Sequence, residues 1–77
     1  MSAKEMFEKL GYKQDKQKKY IVYWRPLKFG REQQIEFDFE HKTIEMRKVP
    51  DMRCERIILK ELQAINQQVK ELGWLDE

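Results

Sequence analysis

The sequence predicts an α+β domain of order α-β-β-β-α, a three-stranded antiparallel meander with two helices packed on one face. Three observations lead there. The segments Phe7-Glu8-Lys9-Leu10-Gly11-Tyr12 and Val69-Lys70-Glu71-Leu72-Gly73-Trp74 rhyme. Each reads as the last turn of an amphipathic helix, closed by a glycine that tolerates the left-handed conformation and followed by an aromatic ring able to fold back. Between them, Tyr20-Ile21-Val22-Tyr23-Trp24 is an unbroken β-branched and aromatic run, the composition of a strand. Residues 34–40 and 43–47 then alternate apolar with polar, the period of strands covered on one face.

The first helix starts at a capping box: Ser2 can accept from a free backbone N–H while Glu5 reaches back. Ala3, Met6, Phe7 and Leu10 follow at helical spacing and form its buried stripe. Lys13 to Lys19 reads as a polar connector, and Leu27 to Arg31, after Pro26, as a turn. The second strand directs Ile35, Phe37 and Phe39 to one side, and the third adds Ile44 and Met46 across a short hairpin at Glu40-His41-Lys42. Strand one offers either Tyr20, Val22 and Trp24 or Ile21 and Tyr23 to the core, and both sets are apolar. After Val49-Pro50-Asp51 the second helix carries Leu62, Ile65, Val69 and Leu72 on its stripe. Ile58 extends that stripe backward and Ile57 serves as an apolar staple. No Ser, Thr, Asp or Asn stands where its cap belongs.

At 77 residues the chain is expected to form one domain, residues 1–77. Its 40% hydrophobic content suffices for a small core, and 39% charged residues suit a body that is mostly surface. A formal charge of +2 does not demand a polyanionic partner. The lone Cys54 excludes an internal disulfide and favours a reducing cytoplasm. Neither a membrane span nor the pattern of a signal peptide is present, so no membrane partner is expected.

Catalytic chemistry finds little footing. His41 is the single histidine, in a hairpin turn, and Cys54 has no histidine or second cysteine beside it. Neither an enzyme nor a cofactor or metal is expected. Protein binding is the leading expectation. Strand one holds more apolar side chains than one face can hide, and Tyr23, Trp24, Leu27, Phe29 and Arg31 form a candidate aromatic surface with a charged rim. A second copy of the chain is one candidate partner.

Nucleic-acid binding is the alternative. Lys13, Lys16, Lys18, Lys19, Arg25, Lys28 and Arg31 lie among Tyr20, Tyr23, Trp24 and Phe29, a mixture of phosphate-neutralising cations and stacking rings. Arg47, Lys48, Arg53 and Arg56 could extend it. On the open sheet face, however, Glu36, Asp38 and Glu45 are expected beside Lys19, Arg25 and Arg47, which reads as an ordinary solvated finish. The element order matches the double-stranded-RNA-binding domain, but the Gly-Pro-x-His segment typical of that domain is absent, as is a dense lysine cluster at the second helix.

The opening Ala3 to Tyr12, the aromatic strand Tyr20 to Trp24 and the ending Glu61 to Trp74 together resemble small uncharacterised proteins encoded by phages and prophages of Gram-positive bacteria. Many of those relatives place Ser or Thr where this chain has Ile58. The resemblance implies an origin, a phage-encoded protein of the bacterial host cytoplasm, and no mechanism. Set beside the residue reading, the expectation is a non-enzymatic accessory protein that binds a host or phage protein and modulates host machinery or defence. The resemblance assigns no catalytic or binding residue.

Overall fold

In the computed structural model, which describes residues 1–50 and 56–76, the chain runs α1 (Ala3–Lys9), β1 (Lys13–Lys16), β2 (Tyr20–Pro26), β3 (Glu32–Asp38), β4 (Thr43–Val49) and α2 (Leu59–Glu71). Single 3-10 turns follow β2 at Lys28–Gly30 and α2 at Trp74–Asp76. The sheet is antiparallel with strand order β1-β2-β3-β4, so four strands replace the expected three. The added strand is the segment read as a connector. Its four residues carry no apolar alternation, and they are strand because Lys13 to Lys16 pair with Trp24 to Ile21.

Both ends of α1 form as the sequence predicts, the start by its capping box and the close by the glycine of the rhyming segment. Ser2 Oγ accepts from Glu5 N at 3.2 Å and Ser2 N donates to Glu5 Oε1 at 3.1 Å, which completes the capping box of α1. At the other end Gly11 has φ 92°, Gly11 N donates to Glu8 O and Tyr12 N to Phe7 O, both at 3.0 Å. These are the paired bonds of a glycine-closed helix terminus, and they turn Tyr12 back under the helix.

The ambiguity of β2 resolves in favour of Ile21 and Tyr23, which are buried with Ile35 and Phe37 of β3. Phe7 of α1 stacks on Tyr23 with ring centroids 3.9 Å apart, and it meets Tyr12 and Phe37 edge-on at 5.5 and 6.3 Å. Trp74 lies against Phe37 at 6.3 Å. Two hydrogen bonds pin helices to this core: Tyr23 Oη donates to Gln68 Oε1, and Ala3 N donates to Glu71 Oε2 at 2.8 Å.

The stripe of α2 is rotated from the expected one. Ile65 is buried and Val69 and Leu72 pack against the core as expected, but Glu61, Ala64 and Gln68 are buried beside Ile65, while Ile58 and Leu62 are exposed. Ile57, expected as an apolar staple, is exposed as well. The rotation follows from two polar residues that face the sheet side because tyrosine hydroxyls reach them there, Glu61 from Tyr12 and Gln68 from Tyr23. Phe39 lies just beyond β3 and is half-buried, and Ile44 faces the helix side of β4 but stays exposed. Among the described residues no helix is long and apolar enough to cross a membrane.

Candidate functional site

The turn between β2 and β3 concentrates the unusual features. Leu27 N donates to Arg31 O at 2.7 Å, and the Arg31 backbone N–H and Nε both donate to Lys28 O at 3.5 Å. Between these closing bonds Phe29 and Gly30 have φ 62° and 70°. For glycine the left-handed region is free. For a phenylalanine it sets Cβ against the following carbonyl, at a cost of about 1–2 kcal/mol. Phe29 is also 89% exposed, so its ring returns nothing to the fold. A strained backbone thus carries a bare aromatic ring, rimmed by Lys28, Arg31 and the half-buried Leu27.

Trp24 lies apart from this tip, on the sheet face that no helix covers. With Tyr20 and Val22 it borders a shallow hollow of about 330 Å³ whose other walls include Asp15, Glu32, Glu36 and Arg47. Lys13 Nζ sits 5.1 Å from the centre of the Trp24 ring. Arg47 is engaged three times, donating to Gln34 Oε1 at 2.9 Å and pairing with Glu36 at 3.0 Å and Glu45 at 3.5 Å. Carboxylates therefore outnumber free cationic charge here, which repels phosphate from the rings that would stack bases.

The candidate residues divide accordingly. Leu27, Lys28, Phe29 and Arg31 share the tip, and Trp24 stands on the open face. Tyr23 leaves the set: it is 1% exposed, covered by Phe7 and tied to Gln14 and Gln68. Arg25 is corrected too. Strand alternation puts it with Ile21 and Tyr23 on the helix side, its guanidinium 5.2 Å from the Tyr12 ring, and not on the open face among the acids. Lys16, Lys18 and Lys19 are exposed at the β1–β2 hairpin, whereas Lys28 and Arg31 lie at the far end of β2. A strand of this length separates the two groups by roughly 20 Å, so one basic stretch of sequence becomes two basic ends. Lys19 lies in that hairpin beside Phe39 and Glu40.

His41 has a local partner. Its Nδ1 lies 3.0 Å from Asp38 Oδ2, and the backbone N–H groups of Glu40 and His41 donate to Asp38 Oδ1 at 2.9 and 3.2 Å. The hydrogen bond from His41 holds the Asp38 carboxyl below its usual range, and Asp38 raises His41 in return. Arg53 and Cys54 lie outside the described residues. Among the described residues no group of three His, Cys, Asp or Glu side chains converges to hold a metal.

The sequence reading of the tip did not register its backbone. The signal available was Phe-Gly between two strands, where Asn-Gly or Asp-Gly is the common solution for left-handed residues. No family model matches this chain, and neither a curated protein nor a solved structure does.

Proposed function

We propose that this chain is a non-enzymatic binding module that grips a partner protein with the β2–β3 tip. Phe29 is the anchor, and Leu27, Lys28 and Arg31 form its rim. What supports the reading is the single observation that Phe29 combines a left-handed backbone with 89% exposure. Such a residue costs the isolated fold its backbone strain and returns no burial, and local strain of this kind is characteristic of sites kept for recognition. Aromatic side chains with an arginine rim are favoured anchors of protein interfaces. The likeness of both chain ends to phage and prophage proteins leads us to place the partner among proteins of a bacterial host or its phage, with the module acting in the host cytoplasm.

The test is Phe29→Gly. Glycine relieves about 1–2 kcal/mol of left-handed strain and adds roughly 0.5–1 kcal/mol of unfolded-state entropy. Stability should therefore stay level or rise by up to about 1.5 kcal/mol. Capture of the partner from nuclease-treated host lysate should drop at least tenfold against the parent chain. A variant that still captures its partner equally, or a captured species that nuclease removes, overturns the reading.

A further inference from the structure

The two edges of the sheet are built differently. β1 is four residues long and carries the exposed Lys13 and Lys16, charges that keep another strand away. β4 is seven residues long, and among the described residues nothing pairs with its outer side. Ile44, on the helix side of this edge, is 40% exposed. On α2, Glu71 binds the start of α1. Leu62 precedes Glu71 by nine residues, which at 3.6 residues per turn places it on the opposite flank, away from α1. Leu62 is 43% exposed there, and Ile58, one turn earlier, is 54% exposed. An unpaired edge with apolar side chains on its helix side is a template for strand addition.

The residues of β4 state which strand fits. We infer that β4 pairs with β4 of a second copy, antiparallel, about a two-fold axis through Met46. In that register Glu45 stands opposite Arg47 of the second copy, and by symmetry the pair occurs twice. Shifting the axis to Glu45 sets glutamate against glutamate, and shifting it to Arg47 sets arginine against arginine. Like charges directly opposite are destabilising, so of the registers that keep most of the strand paired only the Met46 axis is complementary.

Arg47 is held ready for this exchange. Glu36 and Gln34 fix its guanidinium, while Glu45 is its looser partner at 3.5 Å with a side chain 62% exposed. Glu45 reaches across the seam without leaving Arg47 of its own chain unpaired. Lys48 falls opposite Ile44 of the second copy, where its aliphatic stem covers the isoleucine and its ammonium reaches the rim. The interface is isologous, so it closes at two copies. It joins the sheets into one of eight strands with all helices on one side, and it leaves the two Phe29 tips free at opposite ends.

Sedimentation velocity of the full chain over a concentration series tests the pairing, with Cys54→Ser as background to exclude thiol cross-linking. The parent chain should move from monomer to dimer as concentration rises. Glu45→Arg, at an exposed site, should stay folded by circular dichroism and weaken association at least tenfold, because it sets arginine opposite Arg47 of the second copy at both symmetric positions. Register is read by single cysteines in the same background under mild oxidation. Met46→Cys should cross-link to its own copy faster than Glu45→Cys or Arg47→Cys, since only residue 46 lies opposite itself. A parent chain monomeric at every concentration, an unaffected Glu45→Arg, or faster cross-linking through position 45 or 47 overturns the inference.

Discussion

At the scale of single residues, two side chains near hairpin tips are held in opposite ways. Phe29 is given a strained backbone and no contact that repays it, whereas His41 is given a carboxylate partner within its own turn. The His41–Asp38 pair has a definite pH signature. The hydrogen bond and charge of Asp38, with the charge of Glu40, raise His41 above 6.5, so its contribution is fully present below 6.5 and is lost as pH rises through the raised value. The His41 hydrogen bond lowers Asp38 below 3.8, so its contribution is present above 3.8 and is lost as pH falls through the lowered value. The turn is therefore tightest between those two unperturbed values and loosens on either side. Asp38→Asn removes the charged partner, and the His41 midpoint in an NMR titration should then fall toward its ordinary value, held slightly above it by the charge of Glu40. An unchanged titration midpoint would show that the pair does not form in solution. His41 is exposed and Asp38 only half-buried, so the effect belongs to the order of the turn, with no part in the core.

At the scale of elements, α2 begins without a capping side chain and solves the problem with one carboxylate. Ile58 has no acceptor to offer, but Glu61 Oε1 takes the Ile58 backbone N–H at 3.0 Å while its Oε2 accepts from Tyr12 Oη. Burial, and then the neighbouring Glu61, push the Tyr12 hydroxyl well above its usual pKa, so it remains a donor at every working pH. Tyr12→Phe leaves a carboxylate oxygen buried without its donor, which should cost about 1–3 kcal/mol. Glu61→Gln keeps a single acceptor where two donors converge and should cost a similar amount. Because both changes break one unit, the double variant should lose clearly less than the sum. Denaturant midpoints at constant slope measure all three, and strict additivity would mean that the two groups act independently. This coupling also explains what the sequence could and could not reveal. Both ends of α1, the glycine close of α2, β3, β4 and the packing of both helices on one face were legible, because capping residues and apolar periods encode them locally. The start of α2 was not, because its cap is Glu61 acting from inside the helix. β1 was not, because Lys13 to Lys16 is a strand only through its ladder to β2. The faces of β2 and α2 were not, because they depend on Phe7 meeting Tyr23 and on tyrosine hydroxyls meeting Glu61 and Gln68. Of the candidate surface, the exposure of Phe29 was expected, whereas its strained backbone and the burial of Tyr23 are visible only once the strands are paired.

For the whole molecule, both helices lie on one side of the sheet, and one ring of α1 sits at the centre of the aromatic core. Phe7 is fully buried and contacts Tyr12 past the end of its own helix, Tyr23 on β2 and Phe37 on β3. The opposite face contributes polar pairs and a shallow hollow that leaves Tyr20 partly exposed. Stability should therefore be lopsided. A domain of this size has roughly 4–12 kcal/mol in total, at 0.05–0.15 kcal/mol per residue. Truncating a buried phenylalanine costs about 3–5 kcal/mol through lost transfer energy and the cavity left behind. Phe7→Ala should thus remove about a quarter of the total or more and populate unfolded chain at moderate temperature. Phe7→Leu, which refills most of the volume, should recover the larger part. Tyr20→Ala, on the open face, should cost about 1 kcal/mol or less. Guanidinium titration of the three variants checks the order. Equal midpoints for Phe7→Ala and Tyr20→Ala would mean that the two sheet faces share the load, and the one-sided core described here would be wrong.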